Sequence, residues 1–226
     1  MKTNPPAIAT LPLQTDTVPQ LIAATAHTLP EQVNALARAR AFAEPLMAGE
    51  TLDSGENTLA HADAVAAILK GIGGSEAMQA ASYLVYACVH LNKPEEVIAK
   101  AFGDNFAALA VETTKLMRVQ QQARTAEHLE DPAVQTENVR KMLLAFSRDL
   151  RVVMLRLASR LQTLRFHAAS KRPVSPSLAR ESLQVFAPLA NRLGIWQVKW
   201  ELEDLSFRFL EPDTYKEVAR LLDEKR

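Results

Sequence analysis

Residues 150–166, LRVVMLRLASRLQTLRF, decide the fold class of this chain. Their apolar side chains recur every three or four positions, which is the period of one face of an α-helix. Residues 152, 154 and 155 are apolar as well, so more than one face of this helix is expected to be buried among other helices. The same helical period continues on both sides of the segment, without a strand–helix alternation. The sequence therefore predicts an all-α fold of about ten helices.

Local signals mark where several helices begin and end. Asn57 or Thr58, Ser75 and Ser175 carry short polar side chains that are suited to N-caps. Gly71 is a candidate C-cap, because glycine adopts the backbone conformation that commonly follows a helix. These positions divide the central part of the chain into separate helices.

Three further features refine this prediction. Pro45 should end or kink the first helix, since it lacks a backbone N–H. The run Tyr83–Val89 is apolar nearly all round and is expected to be central and buried. Within it, Cys88 is interpreted as a small buried hydrophobe. Residues 119–133 are polar and are predicted to form a loop.

Composition excludes several classes of protein. The 226 residues are 48% hydrophobic and 23% charged, which is typical of a globular domain. Lys plus Arg and Asp plus Glu both number 26, so a generally basic surface for nucleic acid, and DNA as a partner, are not expected. The single cysteine excludes an intramolecular disulfide and CxxC metal sites. No apolar run is long enough for a membrane span, and the cytoplasm is the predicted location.

A basic stripe runs from residue 138 to 172, with nine cations and one acid. One interpretation is a surface that binds nucleotide, phosphate or RNA. The other is internal pairing with the acid-rich C-terminal residues Glu201, Glu203, Asp204 and Glu211. Both interpretations remain open at this point. The anion-binding interpretation assigns the site to Arg148, Arg151, Arg156, Arg160 and Arg165.

The histidines alone do not predict a metal site. A helical metal hydrolase needs about four ligands, mostly His and Asp, that converge on one point. The five histidines include no adjacent His-Asp pair. His61 and Asp63 are two residues apart and therefore lie on different faces of a helix.

Four segments resemble the RelA/SpoT family. They are RKMLLAFSRDLRVV at 140–153, APLANRLGI at 187–195, KWELEDLSFRFLEP at 199–212 and TKL at 114–116. The resemblance covers about residues 30 to 226, and the C-terminal motifs are long and specific. It implies an all-α, HD-type hydrolase domain followed by helices that lead toward a (p)ppGpp synthetase domain.

The resemblance also implies a site, position by position. An active hydrolase of the family binds manganese through a His, a His-Asp pair and a later Asp, and a Glu-Asp pair activates water. The first ligand falls on His61, the pair on Val85 and Tyr86, and the last ligand on Ser159. The water-activating pair falls on Val89 and His90, and the nucleotide contacts fall on Leu52, Thr163 and Phe166.

One of four metal ligands therefore remains, and we expect no metal cofactor and no catalytic residue. The predicted division is an arm at 1–28, an inactive HD-type domain at 29–195 and linker helices at 196–226. The expected function is that of a silent regulatory domain of a GTP pyrophosphokinase of the stringent response. Its partner would be the synthetase domain, contacted through the helix with Trp196 and Trp200, unless these side chains pack in the core. The ribosome is expected as a partner of the full-length protein only.

Two other functions stay open. A nucleotide-sensing module would bind (p)ppGpp or GTP without hydrolysis, and the basic stripe favours it. An active manganese-dependent (p)ppGpp 3′-pyrophosphohydrolase would require the ligands that this sequence lacks.

Overall fold

The computed structural model describes residues 34–125, 132–145 and 149–223. Within these ranges its regular secondary structure is helical, with short turns and loops between the helices and one isolated bridge between Thr51 and Asn57. The predicted all-α fold is confirmed. The helices are α1 (Ala35–Met47), α2 (Thr58–Gly71), α3 (Glu76–Ala87), α4 (Pro94–Phe102), α5 (Asp104–Thr125), α6 (Pro132–Ala145), α7 (Leu150–Ser170), α8 (Pro176–Glu181, Ser182–Phe186 and Ala187–Arg192 in succession), α9 (Trp196–Leu210) and α10 (Pro212–Asp223). The predicted arm at 1–28 lies outside the described residues.

The predicted caps account for several helix ends. The side chain of Asn57 accepts a hydrogen bond from the N–H of Ala60, and the Ser75 and Ser175 side chains accept equivalent bonds at α3 and α8. Helix α2 ends at Gly71, but its C-cap is Ile72 and the left-handed glycine beyond it is Gly73, so the predicted C-cap lies one position too early. Helix α1 contains Pro45 in its last turn and ends at Met47. The three N-caps follow from local chemistry, since each one satisfies an otherwise orphaned backbone N–H group.

One predicted loop is wrong in part. Residues 119–125 form the last two turns of α5 instead of a loop. Gln120 is buried, and its side-chain oxygen accepts two hydrogen bonds from Arg156 of α7. Contacts between helices therefore override the polar composition of this stretch.

The core lies around α7 and α3. Leu157, Leu161 and Leu164 of α7 are almost fully buried, as the sequence predicts, and α7 packs against α2, α5 and α9. Helix α3 packs between α1, α2 and α5. The buried run of α3 stops at Cys88, because a 3₁₀ turn at Cys88–His90 brings Val89 to the surface.

Helix α8 contains a π-helical turn at Ser182–Phe186, and Arg160 of α7 sits against it. The Arg160 guanidinium donates to the carbonyl of Leu178 and to the hydroxyl of Ser182, and it pairs with Glu181 at 2.9 Å. The same guanidinium lies 4.2 Å from the ring centroid of Phe186. Together these buried contacts of Arg160 hold α8 against α7.

Candidate functional site

Three of the four positions that the resemblance assigns to metal ligands meet between α2, α3 and α7. The Nε2 atom of His61 lies 3.3 Å from the Ser159 hydroxyl oxygen, and the Tyr86 hydroxyl lies 2.8 Å from that same oxygen. The rings of His61 and Tyr86 meet edge to face at 5.2 Å. Val85 is also buried, and its backbone carbonyl accepts a hydrogen bond from Thr114. We call the cluster of His61, Tyr86 and Ser159 the His61 centre.

A carboxylate lies on the other side of the His61 ring. The Nδ1 atom of His61 is 2.6 Å from Oε2 of Glu56, a residue that is only 5% exposed. The second carboxylate oxygen of Glu56 accepts a hydrogen bond from Nε2 of Gln162 at 2.5 Å. Both nitrogens of His61 and both oxygens of Glu56 therefore have hydrogen-bond partners within the protein.

Arg156 supplies positive charge beside the His61 centre. Its guanidinium is buried, donates twice to Oε1 of Gln120 and lies 3.5 Å from the Ser159 hydroxyl. Burial raises the pKa of the Tyr86 hydroxyl, and the nearby Arg156 and Ser159 only partly oppose this effect. Tyr86 therefore stays protonated at neutral pH and provides a neutral hydroxyl, not a phenolate.

The manganese ion that the resemblance implies does not fit these residues. Within the described ranges, no three His, Cys, Asp or Glu side chains come together as a metal site. Apart from Glu56, the groups around His61 are neutral hydroxyls, an amide and a guanidinium. Hard divalent cations need several carboxylate, carbonyl or water oxygens, so this donor set suits hydrogen bonding and not metal coordination.

The structure gives the other predicted site positions the following surroundings. Val89 and His90 are exposed on the 3₁₀ turn, and Leu52 is half-buried in the loop before α2. The Thr163 hydroxyl donates to the backbone carbonyl of Ser159. Phe166 lies under the guanidinium of Arg172, with 5.8 Å from its ring centroid to the guanidinium carbon. The side chains of Leu52, Val89 and Phe166 offer no hydrogen-bonding group to a nucleotide.

The described arginines of the basic stripe do not form one exposed anion surface. Arg151 chelates Asp149, whereas Arg156 and Arg160 are buried with the partners already given. Arg165 forms two hydrogen bonds of 2.5 and 2.6 Å with Glu201 of α9. This geometry favours internal contacts, but only the Arg165–Glu201 pair is of the kind that the second interpretation predicts. The hydrogen bonds of Arg151, Arg156 and Arg160 described above go to residues outside the acid-rich C-terminal stretch. Arg148 lies outside the described residues.

Both tryptophans are on the surface. Trp196 is 53% exposed and Trp200 is 64% exposed, so packing in the core, one of the two interpretations, is wrong for both. They lie four residues apart on one face of α9, and Phe207 continues that face one turn before the helix ends. The ring of Phe207 contacts Tyr215 of α10, with 6.1 Å between centroids.

Sequence reasoning did not find several residues of the site. Glu56, Gln120 and Gln162 have no role in the sequence prediction. Glu56 hydrogen-bonds with His61, Gln162 donates to Glu56, and Gln120 accepts from Arg156 beside the His61 centre. Gln162 and Glu56 are 106 positions apart. No local pattern connects residues at that separation, and only the packing of α7 against α2 brings them together.

Comparison with known proteins identifies the class. The sequence profile of the HD domain matches residues 39–196, so the chain belongs to the HD domain family. It is 44% identical over 191 residues to a probable guanosine-3′,5′-bis(diphosphate) 3′-pyrophosphohydrolase of Synechocystis, covering 84% of this chain and 24% of that protein. It is 37% identical over 188 residues to a GTP pyrophosphokinase of Streptomyces coelicolor, covering 83% of this chain and 21% of that protein.

These relatives narrow the class: the chain is an HD domain whose relatives are named guanosine-3′,5′-bis(diphosphate) 3′-pyrophosphohydrolase and GTP pyrophosphokinase, the two activities of the family that its motifs resemble. It spans about a quarter of the length of these curated relatives. A third relative, a guanosine-3′,5′-bis(diphosphate) 3′-pyrophosphohydrolase of Aquifex aeolicus, is 29% identical over 197 residues, covering 87% of this chain and 27% of that protein. In the described part of this chain, no helix has the length and apolar character needed to cross a membrane.

Proposed function

We propose that this domain does not hydrolyse (p)ppGpp and instead serves as a structural and regulatory partner of a synthetase domain in a GTP pyrophosphokinase. One observation carries the proposal: the positions that would supply the other ligands hold Val85, Tyr86 and Ser159, so the imidazole of His61, which contacts Glu56 and Ser159, is the single strong metal donor among the four ligand positions. Metal-dependent hydrolysis in this family needs that ring as a ligand.

The chemistry of hydrolysis supports the same conclusion. A bound metal ion lowers the pKa of water, and an adjacent carboxylate then takes the proton. In this chain Val89 and His90 stand at the positions of the water-activating acids, and both are exposed on the 3₁₀ turn. The buried carboxylate of Glu56 is already engaged by two side chains. The centre therefore lacks both the ligands that a metal ion needs and a free carboxylate that could accept the proton from water.

The surface of the C-terminal helices supports a role in contacting another domain. Trp196 and Trp200 are exposed on α9, and α10 is amphipathic with no buried residue. The exposed apolar residues of α10 are Val218, Leu221 and Leu222. Apolar surface of this kind is typical of an interface. Because the relatives are about four times longer than this chain, we propose that the synthetase domain covers it.

The deciding experiment incubates the chain with ppGpp and Mn²⁺ and measures GDP. We expect no GDP above background, and the same result for a His61→Ala variant. GDP release that requires Mn²⁺ and disappears in His61→Ala would overturn the proposal. The HD domain of the Synechocystis relative provides the comparison for assay sensitivity.

Nucleotide sensing without hydrolysis stays a prediction, as do contact with the ribosome and a cytoplasmic location. Isothermal titration with ppGpp and with GTP separates sensing from a purely structural role. The internal pairing of Arg151, Arg156, Arg160 and Arg165 leads us to expect no saturable heat of binding.

A further inference from the structure

Residues 51–57 form a tight loop between α1 and α2, which we call the cover loop. The bridge between Thr51 and Asn57 closes its base. Inside it, the N–H of Leu52 donates to the carbonyl of Glu56 at 2.9 Å, and the N–H of Gly55 donates to the carbonyl of Leu52 at 2.7 Å. Gly55 has a φ of +80°, a backbone conformation that favours glycine. The loop is therefore a compact unit with its tip at Asp53–Gly55.

The inner side of the cover loop is fixed by buried contacts. Glu56 at its end reaches His61 and Gln162, as described above. Because these groups are shielded from water, their hydrogen bonds are costly to break. They connect the loop directly to the His61 centre.

The outer side of the loop is held by two contacts in solvent. Gln121 of α5 donates to the Asp53 carboxylate at 2.7 Å, and Arg172 donates to the backbone carbonyl of Ser54 at 2.9 Å. Water competes for exposed polar contacts of this kind, so each one stabilises the closed loop only weakly. The outer contacts are therefore the ones that open first.

Arg172 is seated against the loop by three separate features. Lys171, which follows α7, has the left-handed conformation with a φ of 55°, and this turns the chain back toward the loop. Phe166 supports one face of the guanidinium. Gly55 leaves room on the other side, since a Cβ atom there would lie 1.8 Å from Nη1 of Arg172. A side chain at position 55 would displace the guanidinium.

We propose that the cover loop is a releasable closure over the His61 centre, and that Arg172 holds it shut on the solvent side. In the closed state the His61 ring is 1% exposed. Release of Arg172 loosens the tip of the loop, which then keeps the exposed Gln121–Asp53 contact on its outer side and the Glu56 contact on its inner side. Opening of this loop sets the access of solvent and small solutes to the centre.

The test measures acylation of His61 by diethylpyrocarbonate, located by mass spectrometry. Arg172→Ala and Gly55→Ala should each raise the rate at His61 by about three- to tenfold, because the first removes the guanidinium that holds the tip of the loop and the second displaces it. Exposed His90 serves as the internal reference, and its rate should not change. The matched control is Arg165→Ala, which breaks a partly exposed ion pair between α7 and Glu201 of α9 that does not involve the loop.

Buried Cys88 reports on larger openings through its reaction with iodoacetamide. We expect its rate in Arg172→Ala to equal that of the unmodified chain. Equal His61 rates in Arg172→Ala and Arg165→Ala would overturn the proposal, as would a parallel rise at Cys88, which would indicate global unfolding. Labelling of His61 requires no turnover, so this result and the result of the GDP assay are independent.

Discussion

The Nε2 atom of His61 lies 3.3 Å from the hydroxyl oxygen of Ser159, a residue 98 positions further along the chain. In the active hydrolases that the sequence resembles, the positions of these two residues carry metal ligands. Here the Ser159 hydroxyl also hydrogen-bonds with Tyr86, and the rings of His61 and Tyr86 meet edge to face. The helices keep these positions together, whereas Ser159 and Tyr86 place neutral hydroxyl groups where the resemblance implies metal ligands.

The Glu56 carboxylate is expected to be the main stabilising group of the centre. Glu56→Ala should lower the free energy of unfolding by about 2–3 kcal/mol, because it leaves buried nitrogens of His61 and Gln162 without an acceptor. Urea denaturation measures this difference. The control is Glu44→Ala, which removes an exposed partner of Arg40 and should change the free energy of unfolding by less than about 0.5 kcal/mol.

Restoring the missing ligands should restore metal binding before it restores turnover. We expect the triple variant Val85→His, Tyr86→Asp, Ser159→Asp to be less stable than the parent, because it buries new carboxylates. Mn²⁺ should raise its Tm and leave the Tm of the parent unchanged, since binding to the folded state alone stabilises it. A thermal melt with and without Mn²⁺ checks this.

The same triple variant should not reach the GDP release of an active relative. Val89, His90 and Leu52 also depart from the pattern of the family, and these positions activate water and contact nucleotide in active members. Full turnover from the triple variant would show that the metal ligands alone account for the loss of activity.

Stability should fall in acid through Asp149, the N-cap of α7. Burial alone would raise the pKa of its carboxyl, but hydrogen bonds from the side chain and backbone of Arg151 outweigh burial and lower the pKa. A lowered pKa stabilises the fold above the ordinary value for an unfolded Asp, about 4, and this contribution is lost as the pH falls through the folded pKa. The parent should therefore exceed Asp149→Asn in stability at pH 7, and the two should converge below about pH 4. A constant difference from pH 7 to pH 2.5 would contradict this assignment.

Trp196 and Trp200 are the two tryptophans of the chain, so intrinsic fluorescence reports on one face of α9. In this chain both should be strongly quenched by acrylamide, because both are more than half exposed. In a longer protein that contains the synthetase domain, we expect their quenching to fall. The difference between the parent and the variant Trp196→Phe, Trp200→Phe isolates their signal. Unchanged quenching in the longer protein would contradict the proposed interface.

The sequence predicts the helices well because their signals are local. The period of residues 150–166 and the caps at Asn57, Ser75 and Ser175 each depend on residues within a few positions. Residues 119–125 were mispredicted because the burial of Gln120 depends on Arg156, which is 36 positions away. Local composition carries no information about that contact.

The site was only partly predictable for the same reason. The family motifs indicate which positions lack ligands, but not which side chains take their place in space. The pairing of His61 with Glu56, and the direction in which each arginine of α7 points, are set by the packing of helices far apart in sequence. The count of charges suggests that the basic stripe is one surface. In the structure the arginines of α7 point in different directions and bind different partners.

Direct titration of the chain with Mn²⁺, followed by calorimetry or by the electron paramagnetic resonance signal of the free ion, tests the central claim most directly. If the His61 centre has lost its metal-binding capacity, the parent and His61→Ala should give the same weak, non-saturating response. Saturable binding of one Mn²⁺ per chain that His61→Ala abolishes would contradict the account.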